Sequence, residues 1–261
     1  MRSLNIAATG MQAQQINVEV ISNNIANMST VGFKRMRPEF QDLLYQDLRR
    51  VGAQSAQEGN VVPSGLQIGV GVRAAATYRI NEQGNLMLTD NQLDVAIQGE
   101  GLFRIELPNG ETGYTRDGSF QLNPEGQLVT ADGFLVQPAI AVPQNAVSVT
   151  INASGEVLAK LDNQVQLQNL GRIDLAVFPN MAGLESIGNN LLLESPASGA
   201  EIAGNPGEPG YGTLLQGYLE TSNVNPVTEI TSLITAQRAY EMNSKVIEAT
   251  DKMMQTVTRL R

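Results

Sequence analysis

The sequence predicts an α+β protein in which a discontinuous helical coiled-coil domain, formed by both chain ends, carries an inserted antiparallel β-rich domain. Apolar residues recur at helical spacing near both ends, and short alternating runs broken by Gly, Asn and Pro fill most of the middle. We expect residues 1–45 and 216–261 to form the helical assembly domain, 46–73 an extended connector and 74–215 the β-rich domain.

The N-terminal helix is predicted from an apolar seam with a three-then-four spacing. The seam comprises Leu4, Ala7, Met11, Gln14, Val18, Ile21, Ile25 and Met28. Thr30, Val31 and Gly32 are expected to end the helix. A β-branched pair lowers helix propensity, and glycine readily adopts the left-handed conformation of a C-terminal cap.

The C-terminal helix is predicted to begin at Pro226, with Asn225 as its N-cap, and to run to about Leu260. Its apolar residues form two adjacent stripes. The first is Leu233, Ala236, Tyr240, Ile247, Met254 and Val257, and the second is Ala239, Met242, Val246, Ala249, Met253 and Leu260. A helix with two apolar stripes packs against more than one neighbour, so we expect contacts with other copies of the chain.

Self-assembly is the leading hypothesis because a monomer would not readily bury both ends. The residues expected at the assembly interface are Leu4, Met11, Val18, Ile21, Asn24, Ile25, Met28, Leu233, Tyr240, Met242, Val246, Ile247, Met253, Met254 and Val257. The alternative is that both terminal helices pack on the body of one globular domain.

Three turns divide the first part of the β-rich region into hairpins. They are Pro108-Asn109-Gly110, Asn123-Pro124-Glu125-Gly126 and Asp132-Gly133. Further strands are predicted at 148–151, 157–161, 172–178 and 191–193, and 196–213 is predicted to be a loop leading to the C-terminal helix.

Composition excludes several classes of function. The 261 residues are 42% hydrophobic, which suffices for a folded core, and include no Cys and no His. Cysteine nucleophiles, thiolate metal sites and the commonest general base are thereby excluded. The net charge of -9 opposes binding to nucleic-acid phosphates, and no stretch is long and apolar enough for membrane insertion.

The polar motifs indicate no catalytic constellation. Asp117, Glu125 and Asp132 are typical of turns, and the run 69–74 matches a dinucleotide-binding fingerprint without the helix that must follow it. We predict a protein that is not an enzyme, with no catalytic residue, cofactor or metal. Three basic residues after the first helix, Lys34, Arg35 and Arg37, are expected either to contact acidic partners or to cap helix carbonyls.

Several strings resemble the signature of bacterial flagellar rod and hook axial proteins. Near the N-terminus they are LNIAATGMQAQQ, ISNNIAN and TVGFKR, and near the C-terminus LETSNVN and AQRAYEMNSK. In the middle, GEGLF, YTRDGSF and ADG resemble the family's central strands. The likeness covers nearly the whole chain with order and spacing intact.

The resemblance implies a structural subunit that assembles into a helical tube around an export channel. The segment 37–66 is most similar to a subunit of the straight distal rod, which transmits motor torque to the hook. The residues implied to keep the rod straight are Tyr45, Gln46, Asp47, Pro63, Ser64, Gly65 and Leu66. The alternatives are a proximal rod subunit of similar size, a hook-type protein and, less favoured, a secreted binding module.

The resemblance also implies partners and a location. The partners are other copies of the chain, proximal rod proteins, the hook protein, the peptidoglycan-level and outer-membrane ring proteins and the flagellar type III export apparatus. The location is the periplasm-spanning rod of the basal body, reached without a cleaved signal peptide. If the acidic residues lie on the outer β surface, charge repulsion or hydration would ease rotation inside the rings, with solubility as the simpler explanation.

Overall fold

The computed structural model describes residues 2–49, 65–162 and 166–259 and confirms the predicted α+β class. Contacts divide the chain into two compact units. Unit 1 comprises residues 1–26, 36–78 and 225–261, and unit 2 comprises residues 27–35 and 79–224. The boundaries expected from the sequence, at residues 45, 73 and 215, remain a prediction of which residues enter the assembly domain.

The described part of unit 1 contains two long helices and four strands. They are α1 (Arg2–Ala26), β1 (Met36–Asp42), β2 (Tyr45–Arg49), β3 (Leu66–Gly69), β4 (Val72–Arg79) and α2 (Pro226–Arg259). β1 pairs with β4, and β2 pairs with β3 in an antiparallel ribbon that places Tyr45 opposite Gly69. The described ends of the segment 46–73 are therefore strands.

The two helices pack on each other in antiparallel orientation within one chain. Gly10 approaches Asn243, and the Asn24 side chain donates to Glu229, so the contact advances along α1 as it moves back along α2. The expectation that a monomer would not readily bury both ends was therefore wrong for the side of each helix that faces the other helix. The predicted seam also differs, because Leu4, Met11 and other large seam residues are only half-buried. Close approach at Gly10 depends on a missing side chain, which an apolar pattern does not reveal.

The predicted end of the first helix was wrong, whereas the start of the second is confirmed. α1 ends at Ala26, and Gly32, with a φ of +68°, instead donates its N–H to the Glu220 carbonyl at 2.8 Å. At α2 the Asn225 Oδ1 atom accepts from the N–H groups of Val227 and Thr228 at 3.1 and 3.3 Å, as an N-cap does.

Unit 2 is built from antiparallel strands. The first eight are β5 (Leu86–Leu88), β6 (Val95–Gln98), β7 (Leu102–Glu106), β8 (Thr112–Thr115), β9 (Gln121–Leu122), β10 (Leu128–Val129), β11 (Leu135–Gln137) and β12 (Ala146–Ile151). The remainder are β13 (Glu156–Leu161), β14 (Leu167–Arg172), β15 (Leu175–Val177), β16 (Glu185–Gly188), β17 (Leu191–Leu193), β18 (Ile202–Gly204), β19 (Thr213–Gln216) and β20 (Tyr218–Glu220), with a 3-10 turn at Met181–Gly183.

Four sheets organise these strands. The largest has the order β16-β17-β8-β7-β11-β10-β9, with β15 joining β7 to β18, and the others are β12-β13-β14, β6-β19 and β5-β20. All three predicted turns connect neighbouring strands and are confirmed. The segment 196–213 is not a continuous loop, because β18 pairs with β15 inside it.

Both faces of β7 are buried, which makes this strand the centre of unit 2. Phe103 and Ile105 lie in the main hydrophobic core, where Phe103 meets Phe120 edge to face at 5.0 Å. Leu102 points to the other face and joins a second cluster with Tyr114 and Phe178.

Candidate functional site

A row of apolar side chains on α2 remains exposed although this helix packs against α1. Met242, Val246 and Met253 are 61%, 47% and 61% exposed, and with Ala249 they keep a helical spacing on one face. We call these four residues the α2 row. They belong to the second predicted stripe, whereas Ala236, from the first, is buried.

The other predicted interface residues fall into three groups. Ile21 and Asn24 are buried in unit 1. Half-buried positions are Leu4, Met11, Val18, Ile25, Leu233 and Ile247. Exposed positions are Met28, Tyr240 and Met254, and the side chain of Val257 lies outside the described part.

Asn24 joins three segments of unit 1. Its Oδ1 atom accepts from the Met36 N–H at 2.8 Å, and its Nδ2 group donates to the Met36 carbonyl at 2.9 Å and to Glu229 Oε2 at 3.2 Å. Asn24 has 1% of its surface exposed, and its amide is paired with both the backbone donor and the backbone acceptor of Met36. The helix pair and the start of β1 are thereby fixed together.

The predicted rod-straightening residues lie partly on an exposed apolar ribbon. Tyr45 and Leu66, on β2 and β3, are 57% and 54% exposed. Gln46 and Asp47 pair with Ile68 and Gln67. A hydrogen bond between Tyr45 and Asp42 raises the pKa of the Tyr45 hydroxyl. Gly65 is described and half-buried, whereas Pro63 and Ser64 lie outside the described residues.

Unit 2 contains a buried charge cluster that the sequence patterns did not reveal. Glu220 Oε1 accepts from Lys34 Nζ at 2.6 Å and from the Gly84 N–H at 2.8 Å, and Glu220 Oε2 accepts from Arg116 Nε at 2.5 Å. Arg116 also donates to the carbonyls of Ile97, Gly99 and Gly101. The side chains of Lys34, Arg116 and Glu220 are 11%, 8% and 1% exposed. We call these three residues the charge cluster.

Burial and ion pairing shift the pKa values of the cluster residues in opposite directions. Burial alone would raise the pKa of Glu220, but the Arg116 charge and hydrogen bonds from Lys34, Gly84 and Arg116 hold this pKa below its usual value of 4.5. Burial lowers the pKa of the Lys34 ammonium despite its bond to Glu220. The carboxylate is therefore kept ionised inside the unit.

Two of the basic residues after α1 have a role within unit 2 that differs from both expectations. Lys34 and Arg35 contact acidic groups of the same unit, Glu220 and Glu82. All three cluster residues stand in the strings TVGFKR, YTRDGSF and LETSNVN. Their presence in these strings was the available sequence signal. Because Glu220 is 104 residues from Arg116 and 186 residues from Lys34, no sequence spacing indicated that the three side chains pair.

One of the predicted turn carboxylates, Asp117, has a structural role in its turn. Asp117 Oδ1 accepts from the Ser119 N–H and hydroxyl, which is turn chemistry. A groove of about 560 Å³ beside β12 is lined mainly by apolar and amide side chains, together with the carboxylate of Asp90 and the hydroxyl of Ser148. Within the described ranges, no group of three or more acidic residues is placed to hold a metal ion. No described helix is long and apolar enough to cross a membrane.

Three family models match the chain. The flagellar hook protein FlgE/F/G D1 domain matches residues 96–159, the flagellar basal body rod FlgEFG C-terminal model matches 215–260, and the flagella basal body rod protein model matches 4–34. These regions contain, in order, Arg116, Glu220 and Lys34.

Full-length relatives agree with the family models. The chain is 62% identical to the flagellar basal-body rod protein FlgG of Caulobacter vibrioides, with 100% of both chains covered. It is 52% identical to FlgG of Agrobacterium fabrum, with 99% of both chains covered, and 39% identical to FlgG of Bacillus subtilis, with 100% of this chain and 99% of the relative covered. The resemblance to rod and hook axial proteins is confirmed, and the chain belongs to the family of FlgG, the distal rod protein, as a structural subunit of the flagellar basal-body rod.

Proposed function

We propose that this chain assembles, through the α2 row, into a straight and rigid helical tube that carries the export channel and transmits motor torque to the hook. The observation that supports this most is the exposure of Met242, Val246 and Met253 after the two helices have packed. Apolar side chains aligned on one helix face favour burial against another surface. Contact of this row with a different surface of the next copy, repeated from copy to copy, would extend a helical array.

The proposal is tested by Met242→Asp, with Gln237→Asp as its matched control. Both residues are exposed on α2, so each substitution adds the same negative charge at a position outside the packed contact with α1. We expect Met242→Asp to keep wild-type helicity in circular dichroism and to lose assembly in electron micrographs. Gln237→Asp should assemble normally. Loss of assembly in both variants, or in neither, contradicts a specific role for the α2 row.

The proposed function is mechanical rather than catalytic. We propose for it the same assembly domain and the same partners that the sequence leads us to expect. Other copies of the chain, proximal rod proteins, the hook protein and the ring proteins would form the surroundings of the rod. The flagellar type III export apparatus would deliver the chain to the periplasm without a cleaved signal peptide. A periplasmic fraction whose mature N-terminus still begins at Met1 or Arg2 would support this route, and a shortened N-terminus would contradict it.

Charge distribution supports a low-friction surface on unit 2. Unit 2 contains seventeen Asp and Glu against seven Lys and Arg, whereas unit 1 contains nine against ten. The acidity of the chain is therefore concentrated in unit 2, where repulsion or strong hydration would ease rotation inside the rings. Replacing exposed carboxylates such as Glu125 and Glu185 by Lys should reduce the rotation speed of tethered cells. Unchanged speed together with poorer solubility would favour the solubility explanation.

A further inference from the structure

The last segment of unit 2 completes two of its sheets. Residues 213–223, which we call the C-terminal latch, contain β19 and β20. β19 pairs with β6, where Val95, Ala96 and Ile97 are at most 1% exposed, and Leu214 of the latch is itself 1% exposed in the main core. β20 pairs with β5. Without the latch, β6 would have an open edge next to the core.

The latch also supplies the carboxylate of the charge cluster. Among the described residues, Glu220 is the only carboxylate within salt-bridge distance of Lys34 and Arg116. Removing one partner of a buried ion pair leaves an uncompensated charge, which is strongly unfavourable. Before residue 220 is in place, two cations would have to remain hydrated, so the surrounding chain would stay open.

Asn223 makes a second set of bonds from the latch. Its Oδ1 atom accepts from the Arg35 N–H at 2.7 Å, and its Nδ2 group donates to the carbonyls of Ile80 and Glu82 at 2.9 and 3.0 Å. The Arg35 carbonyl in turn accepts from the Ile80 N–H at 2.9 Å. The latch therefore fastens residues near 34 and residues near 81 to each other.

The contacts of the latch have longer sequence separations than the hairpins of unit 2. The bonds of Glu220 to Lys34, Gly84 and Arg116 span 186, 136 and 104 residues. By contrast, β7–β8 and β12–β13 are hairpins closed by short turns. Loop-closure entropy makes distant contacts form later than local ones.

We propose that the C-terminal latch closes unit 2 as the last step of its folding, so that the unit stays open until residues 213–223 are free to bind. Local hairpins form first, and β6, Lys34 and Arg116 are secured only when β19 and Glu220 dock. The latch acts within a single chain and does not depend on the proposed assembly. Its consequence is that a chain whose C-terminus is still held elsewhere cannot complete this unit.

The order of folding is measured by pulsed hydrogen exchange and mass spectrometry as dilute full-length protein refolds from urea. Peptides covering 102–115 and 146–161 should become protected first, and those covering 95–98 and 213–220 should follow together. Protection of 95–98 in the same phase as 102–115 overturns the proposal.

The variant Glu220→Gln tests the charge cluster as the closing contact. It should leave early protection of 102–115 unchanged and should raise the unfolding rate about 100-fold, because contacts formed late affect unfolding rather than folding. If the variant never closes, early protection of 102–115 still supports the proposal, and its loss overturns it. Asn223→Ala should show the same pattern with a smaller change.

Glu156→Gln provides the matched control. Glu156 pairs with Arg172 at 3.1 Å across a local separation of 16 residues, and both side chains are partly exposed. This variant should change both rates less than about 2-fold, as expected for an exposed ion pair. If Glu156→Gln raised the unfolding rate as much as Glu220→Gln does, the loss of any ion pair would explain the effect. That result would overturn the proposal that the latch closes unit 2.

Discussion

Gly10 of α1 lies so close to Asn243 of α2 that a Cβ atom at residue 10 would be 2.9 Å from the Asn243 Nδ2 atom. The helix pair therefore depends on a missing side chain at this point. An amide at the end of a flexible side chain can move away from a single methyl group, but not readily from a branched side chain.

The variant Gly10→Val should separate the two helices and lower the free energy of unfolding by about 2 kcal/mol. Gly10→Ala should be nearly neutral, because the better helix propensity of Ala offsets the contact. Urea unfolding followed by circular dichroism at 222 nm measures both. The control is Ala8→Val at an exposed position of the same helix. Equal stability of Gly10→Val and Ala8→Val would show that the helices do not pack closely here.

A second glycine, Gly118, allows two backbone segments to approach closely beside the core of unit 2. A Cβ atom at Gly118 would clash with the Val95 carbonyl oxygen, a backbone atom of strand β6. We expect Gly118→Ala to lower the free energy of unfolding by more than about 3 kcal/mol, in the range of severe core changes. Gly113→Ala is the control, since the atoms nearest to its Cβ would belong to the Leu107 side chain, at an ordinary contact distance of 3.4 Å. A thermal unfolding midpoint of Gly118→Ala equal to that of the control would contradict the close packing.

The charge cluster predicts a specific pH dependence of stability. The pKa of Glu220 is lower in the folded chain than its usual 4.5, so its stabilising contribution is complete above pH 4.5 and is lost as pH falls through the folded pKa. The difference in unfolding free energy between wild type and Glu220→Gln should therefore be largest above pH 5 and should narrow in acid. Urea titrations of both proteins between pH 7 and pH 3 measure it. A difference that stays constant with pH would mean that the carboxylate is not held ionised.

The element order could be predicted from the sequence because it depends on local chemistry. The Asn225 cap and the three hairpin turns follow from residue types within a few positions of each other. The end of α1 could not be predicted, since residues 27–35 are held by distant groups in unit 2 such as the Glu220 carbonyl. Tertiary bonds outweighed the local preference for a cap at Gly32.

The candidate site was predicted only where apolar periodicity carries the information. The α2 row appeared as the second stripe of the C-terminal helix, and its role as an interface remains a prediction. The charge cluster was missed, because ionic pairing between Lys34, Arg116 and Glu220 has no periodicity along the chain. Gly10 was missed for a related reason, since an apolar seam is recognised by large side chains.

Removal of residues 47–65 tests the predicted straightening segment. The deletion removes most of β2 and its pairing with β3, including the exposed Leu48. We expect the assembled structure to become curved or mechanically weak, because the resemblance implies that this segment locks neighbouring copies. Electron micrographs of assembled filaments measure curvature directly. A straight rod that still transmits torque after the deletion would refute the locking role.

The accessibility of a single thiol on the α2 row shows whether assembly covers this row. The chain contains no cysteine, so Val246→Cys introduces one unique reactive group, and Ser154→Cys places a control thiol on an exposed turn of unit 2. We predict that maleimide labels both thiols in the dilute monomer and that assembly protects position 246 while position 154 stays reactive. Equal labelling of position 246 in monomer and assembled tube would contradict the proposal that the α2 row joins the subunits.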